Sequence, residues 1–189
     1  MKIIRRGHVV AVLLLIMGGM TACSGQELGP VAKSADAPSV ESVTAEYLDQ
    51  AFRAVSEKVG AGPVQVTDIS IQESGVQINA VNPQAPSELN LWTYQDGRVM
   101  DPRPVDYGGD TEALEQNLFS MGDVEIATVV ALIKEAPAAS KIDSARTVNV
   151  EISRGLPITE DIEINVAVAS ERDQKQVRAN LSGKIIKVL

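Results

Sequence analysis

Residues 75–82, GVQINAVN, set Val76, Ile78 and Ala80 on one side and Gln77 and Asn79 on the other. A period of two is that of a β-strand, and one greasy side against one wet side is that of an antiparallel sheet covered on a single face. Upstream, PVQVTDISIQ (63–72) has the same alternation with a slip of one residue near Asp68, which predicts a β-bulge. Further upstream, TAEYLDQAFRAVSEKVG (44–60) brings Leu48, Ala51, Phe52, Val55 and Val59 to one helical stripe, with Glu46 in the first turn, Lys58 in the last and Gly60 as the stop. Downstream, ELNLWTYQDGRVM (88–100) reads as a strand that turns at Asp96-Gly97.

The same order then recurs. DTEALEQNLFSMG (110–122) predicts a short helix. DVEIATVVALIKEAP (123–137) predicts a longer one, capped by Asp123 and ended by Pro137. ARTVNVEIS (145–153) points Val148, Val150 and Ile152 inward, and DIEINVAVA (161–169) does so with Ile162, Ile164, Val166 and Val168. QVRANLSGKIIKVL (176–189) is a strand pair broken at Ser182-Gly183. The expected class is therefore α+β: tandem helix–three/four-strand units, with antiparallel sheet(s) and helices packed on one face. The units divide as 42–107 and 108–189. At 66 and 82 residues each is marginal alone, so 41–189 is expected as one compact body that pairs the units and shields their edges. The second long helix is apolar nearly all round (Val124, Ile126, Val129, Val130, Leu132, Ile133), which predicts a central, covered helix or the wall of a lipid tunnel.

The N-terminus is of a different kind. Lys2, Arg5 and Arg6 precede an unbroken apolar run, Val9–Met17, and small residues follow. Nine residues rise roughly 13 Å as a helix, far short of a hydrocarbon core of roughly 30 Å, so residues 1–22 read as an export signal rather than a span. Met20-Thr21-Ala22-Cys23 resembles the lipobox of bacterial lipoprotein precursors, with Met20 where leucine is usual. The resemblance implies cleavage before Cys23 and a diacylglycerol, with further acyl groups such as palmitate, on its sulfur. That use of the chain's single cysteine leaves no disulfide framework to expect. Two or three acyl chains, at about 0.8 kcal/mol per buried CH₂, anchor a protein stably in a bilayer. Residues 23–41, rich in Ser, Ala, Gly and Pro, read as the lipidated cysteine and a flexible tether reaching roughly 25 Å. The expected location is extracytoplasmic, lipid-anchored to the cell membrane. Ser24 carries no retention signal, so an outer membrane is compatible where one exists.

Removing residues 1–22 takes away Lys2, Arg5, Arg6 and the only histidine, His8, leaving 14 basic against 25 acidic residues, a net charge of −11. An acidic surface argues against nucleic acid as a partner. Without histidine or a free thiol, Ser-His-Asp and Cys-His catalysis and histidine or thiolate zinc sites are excluded. No phosphate-binding loop or EF-hand pattern occurs. A non-catalytic protein without a metal or dissociable cofactor is expected.

A helix followed by three strands, closing on Gly97-Arg98-Val99 in the first unit and Gly183-Lys184-Ile185 in the second, resembles the PepSY repeat of bacterial envelope proteins. It is similar also to the tandem units of the β-lactamase-inhibitor protein and of small outer-membrane assembly lipoproteins. The resemblance spans 42–189 in pattern and implies binding to an envelope protein or peptide. A carrier or sensor of a small apolar ligand such as an envelope lipid, and an inhibitor of an envelope enzyme, are the alternatives.

Candidate contact residues follow from the strands. Trp92 and Tyr94 share a face; if Leu91 meets the helices, the aromatic pair lies on the open sheet face as a binding surface. Otherwise the pair joins the two units. Tyr107, in DPRPVDYGGD (101–110), is a third candidate. Asp101, Asp106 and Asp110 could form an oxygen-rich cation site, but a linker bending at Gly108-Gly109 is the simpler reading. Glu160, Asp161 and Glu163 read as a solvated hairpin tip.

Overall fold

The computed structural model describes residues 39–60 and 62–189. The expected signal segment, Cys23 and the tether as far as residue 38 lie outside the described residues. The helices are α1 (Ala45–Val59), α2 (Thr111–Asn117) and α3 (Ile126–Ser140). The strands are β1 (Gln65–Gln72), β2 (Gly75–Asn82), β3 (Ala85–Gln95), β4 (Arg98–Val99), β5 (Arg103–Pro104), β6 (Phe119–Ser120), β7 (Arg146–Arg154), β8 (Ile162–Ala169), β9 (Gln174–Asn180) and β10 (Ile185–Val188).

All ten strands join one antiparallel sheet in the order β10-β9-β8-β7-β1-β2-β3-β4, with β5 added to β3 and β6 to β1. The two units meet edge to edge through β1 and β7, where Ile69 faces Ile152 and Ile71 faces Val150. The fold is α+β, as the alternation and the two helical stripes require. α1 and α3 cover the same face: Leu48, Phe52 and Val55 from one and Val129, Leu132 and Ile133 from the other share a core with Ile69, Ile78, Ile152 and Ile164. The slip near Asp68 is a bulge at Thr67, between Val66 and Asp68, and it keeps both Val66 and Ile69 beneath the helices.

Several expectations are corrected. α2 lies on the opposite face, where Leu114 covers the cross-strand apolar pair Val81 and Leu89. The helices are therefore not all on one face. A second bulge, at Val148 between Thr147 and Asn149, turns Thr147 inward in place of Val148. α3 is not covered all round: Ala127, Ala131, Lys134, Glu135 and Ala138 form a solvated stripe. The tether expected to run through residue 41 is fixed chain by Val40, which is fully buried and donates its N–H to the Thr147 carbonyl at 3.0 Å.

Pro137 stands inside α3 instead of ending it, and Asp123 belongs to a 3₁₀ turn (Met121–Asp123) instead of capping the helix. Proline lacks the N–H that would bond the carbonyl four residues back. Here the Ile133 carbonyl accepts the Thr147 hydroxyl at 2.7 Å, a fully buried bond from the neighbouring strand. Two carbonyls of the last turn take side-chain donors as well: Pro137 from the Ser140 hydroxyl at 2.7 Å, and Ser140 from the Lys175 ammonium at 2.8 Å.

Candidate functional site

The aromatic candidates do not form an exposed patch. In register, Trp92 pairs with Ile78 and Tyr94 with Val76, so both lie on the helix-covered face, while Leu91 and Thr93 point away. Tyr94 is 3% exposed and meets the Tyr47 ring of α1 edge to face at 5.4 Å. Burial, with Tyr94 and Asp96 nearby, holds the Tyr47 phenol above its ordinary pKa. Trp92 packs against the same core, under the first unit's own helix, so the pair does not join the units either. Tyr107 is half-buried against Val81, Leu89 and Leu114, and its hydroxyl donates to the Ser87 carbonyl at 2.9 Å.

The acidic stretches are likewise occupied. Asp106 accepts the Gly108 N–H at 2.8 Å, and Asp110 caps α2 by accepting the Ala113 N–H at 3.0 Å. Part of the expected linker is strand β5, with Arg103 opposite Leu91. Among the described residues, no group of three His, Cys, Asp or Glu side chains is placed to hold a metal ion, and no helix is long and apolar enough to cross a membrane.

Two features escaped the sequence reading. The first is an apolar groove of about 540 Å³ between α1 and the turn leading into α3. Phe52, Val64, Met121, Val124 and Ile126 line it, and Asp49, Arg53, Ser56 and Glu57 form a polar rim. The turn is held there by main-chain bonds: β6 pairs with the start of β1, and the Met121 N–H donates to the Val64 carbonyl at 3.0 Å. Ser120 accepts the Gly122 N–H at 3.2 Å, which fixes the lip. Arg53 pairs with Asp49 at 3.0 Å across one helical turn of the rim, the arginine largely in water and the aspartate about half so. An apolar floor beneath a mixed-charge rim suits an apolar side chain from a polar partner.

The second is the polar sheet face. The registers align Gln77, Ser70, Glu151, Asn165 and Arg178 in one row, and Asn79, Asp68, Ser153, Glu163 and Asn180 in the next. Asp68 accepts bonds from Asn79 at 2.6 Å and from Thr67 at 3.2 Å. Burial nonetheless dominates and pushes its carboxyl above the ordinary value. Glu163 is only 7% exposed, not a solvated tip residue, and faces the Arg178 guanidinium at 3.5 Å, an ion pair too long for a hydrogen bond. Among the described residues, Asn79 Oδ1, Asn165 Oδ1 and Arg178 Nε are buried with no hydrogen-bond partner.

No family model, curated protein or solved structure matches this chain.

Proposed function

We propose that the protein is a lipid-anchored, extracytoplasmic binding module without catalysis, which seats an apolar side chain or short segment of an envelope protein or peptide in the α1–Met121 groove. The observation that carries this reading is the groove: apolar floor, polar rim and a backbone-fixed lip. The bilayer contact is assigned to acyl groups on Cys23, the residue that matches the lipobox. A carrier of an apolar ligand is the weaker reading: among the described residues, buried side chains form one continuous core between the sheet and helices α1 and α3. Inhibition of an envelope enzyme is one form the binding could take.

Two measurements on the full chain in a bacterial host test the two halves. Metabolic labelling with an alkyne fatty acid is expected to mark the protein and to be lost in Cys23→Ala; equal labelling of both refutes the anchor. A photo-reactive amino acid at Gly122 or Glu57, both exposed at the groove, is expected to yield the same discrete adduct. Ala131, on the solvated side of α3, is the control position. Adducts there identical to those at Gly122, or none at the groove, refute the binding surface.

A further inference from the structure

The sheet ends at β10, which has β9 on one side and no strand on the other among the described residues. Leu189 exchanges both main-chain bonds with Gln176. The antiparallel alternation therefore turns the N–H and C=O of Val188 toward the open side. The edge is not blunt: Ile186 is 56% exposed and Val188 37% exposed.

Its charge is the reverse of the chain's. Between Gln174 and Leu189 stand Lys175, Arg178, Lys184 and Lys187 and no acidic side chain, in a protein of 25 acidic and 17 basic residues. Lys175 is committed to the Ser140 carbonyl and Arg178 to Glu163. Lys184 and Lys187 are exposed and, among the described residues, have no salt bridge.

We propose that this edge binds an extended segment of a partner protein as an added strand, and that the segment is acidic and apolar in alternation. Its backbone pairs with Val188, its carboxylates meet Lys184 and Lys187, and its apolar side chains cover Ile186 and Val188. A second copy of this chain is the wrong occupant: pairing β10 with β10 brings two lysine-bearing edges together, and their like charges repel. The same lysines that prevent self-pairing select an acidic strand. This surface belongs to the second unit and does not depend on the groove.

The test uses the full chain in detergent and a fluorescein-labelled peptide alternating glutamate and valine, read by anisotropy at roughly 50 and 300 mM salt. Binding is expected to weaken with salt. It is also expected to weaken by about tenfold or more for the lysine–valine counterpart, and for the glutamate–valine peptide N-methylated at alternate residues. Lys184→Glu with Lys187→Glu is expected to lose about tenfold in affinity with an unchanged thermal midpoint, since both side chains are exposed. Equal affinity for the two peptide charges overturns the proposal, as does indifference to N-methylation or to the double substitution. So does a dimer through β10 in sedimentation velocity.

Discussion

Thr147→Val removes one hydroxyl from a buried site and leaves the Ile133 carbonyl with no donor, because residue 137 of α3 is a proline. An orphaned buried carbonyl costs about 1–3 kcal/mol. We expect a loss near 2 kcal/mol, or about 4–8 °C in melting temperature for a body of this size. The mechanism makes a sharper statement than the size. Pro137→Ala restores an N–H four residues after Ile133, so the helix can satisfy that carbonyl by itself. In the Pro137→Ala background, Thr147→Val is expected to cost under about 1 kcal/mol, a coupling of roughly 1–2 kcal/mol. Urea titrations of the four proteins measure it, followed by the fluorescence of the single tryptophan, Trp92, which packs against the core. Equal costs of Thr147→Val in the two backgrounds refute the account of how α3 accommodates its proline.

Two further outcomes are expected. Asp68 has its carboxyl pKa raised by burial, so the folded state holds that proton more tightly than the unfolded one. Its contribution to stability is therefore greatest in acid and falls as pH rises from about 4 through the folded pKa. The melting temperature of Asp68→Asn minus that of the parent should accordingly rise from pH 4 to pH 7, and a difference that stays flat or falls contradicts the assignment. Gly75→Ala is expected to be severe, losing more than about 3 kcal/mol. A Cβ there would lie 2.3 Å from the Tyr94 carbonyl oxygen, on a backbone with φ +138°. Gly97→Ala meets nothing within 4 Å at φ +76° and should cost only about 1–2 kcal/mol in chemical denaturation. Equal costs at the two glycines would show that the close approach at Gly75 is not what constrains it.

Much of the architecture is local and was legible in the chain. The alternation of 75–82 and 161–169, the stripe of α1 and the bulge near Asp68 are short-range patterns that no distant contact needs to specify. The single cysteine behind an apolar run and the absence of histidine from residues 23–189 bound the chemistry equally well. Side-chain period tells which residues share a face, but not which face meets the helices. On β3 both sides are apolar, Leu89 and Leu91 on one and Trp92 and Tyr94 on the other, so only packing on the helix-covered face decided that Tyr94 is buried and Trp92 half-buried. Pro137 looked like a stop because its remedy, Thr147, comes from another strand. Glu163 looked solvated because Arg178, on β9, is supplied by register. The groove joins residues 49–57 to 120–126, and the charge of the β10 edge has meaning only once β10 is known to end the sheet. Local propensity and periodicity determined the elements; long-range packing and register determined which surfaces they leave for a partner.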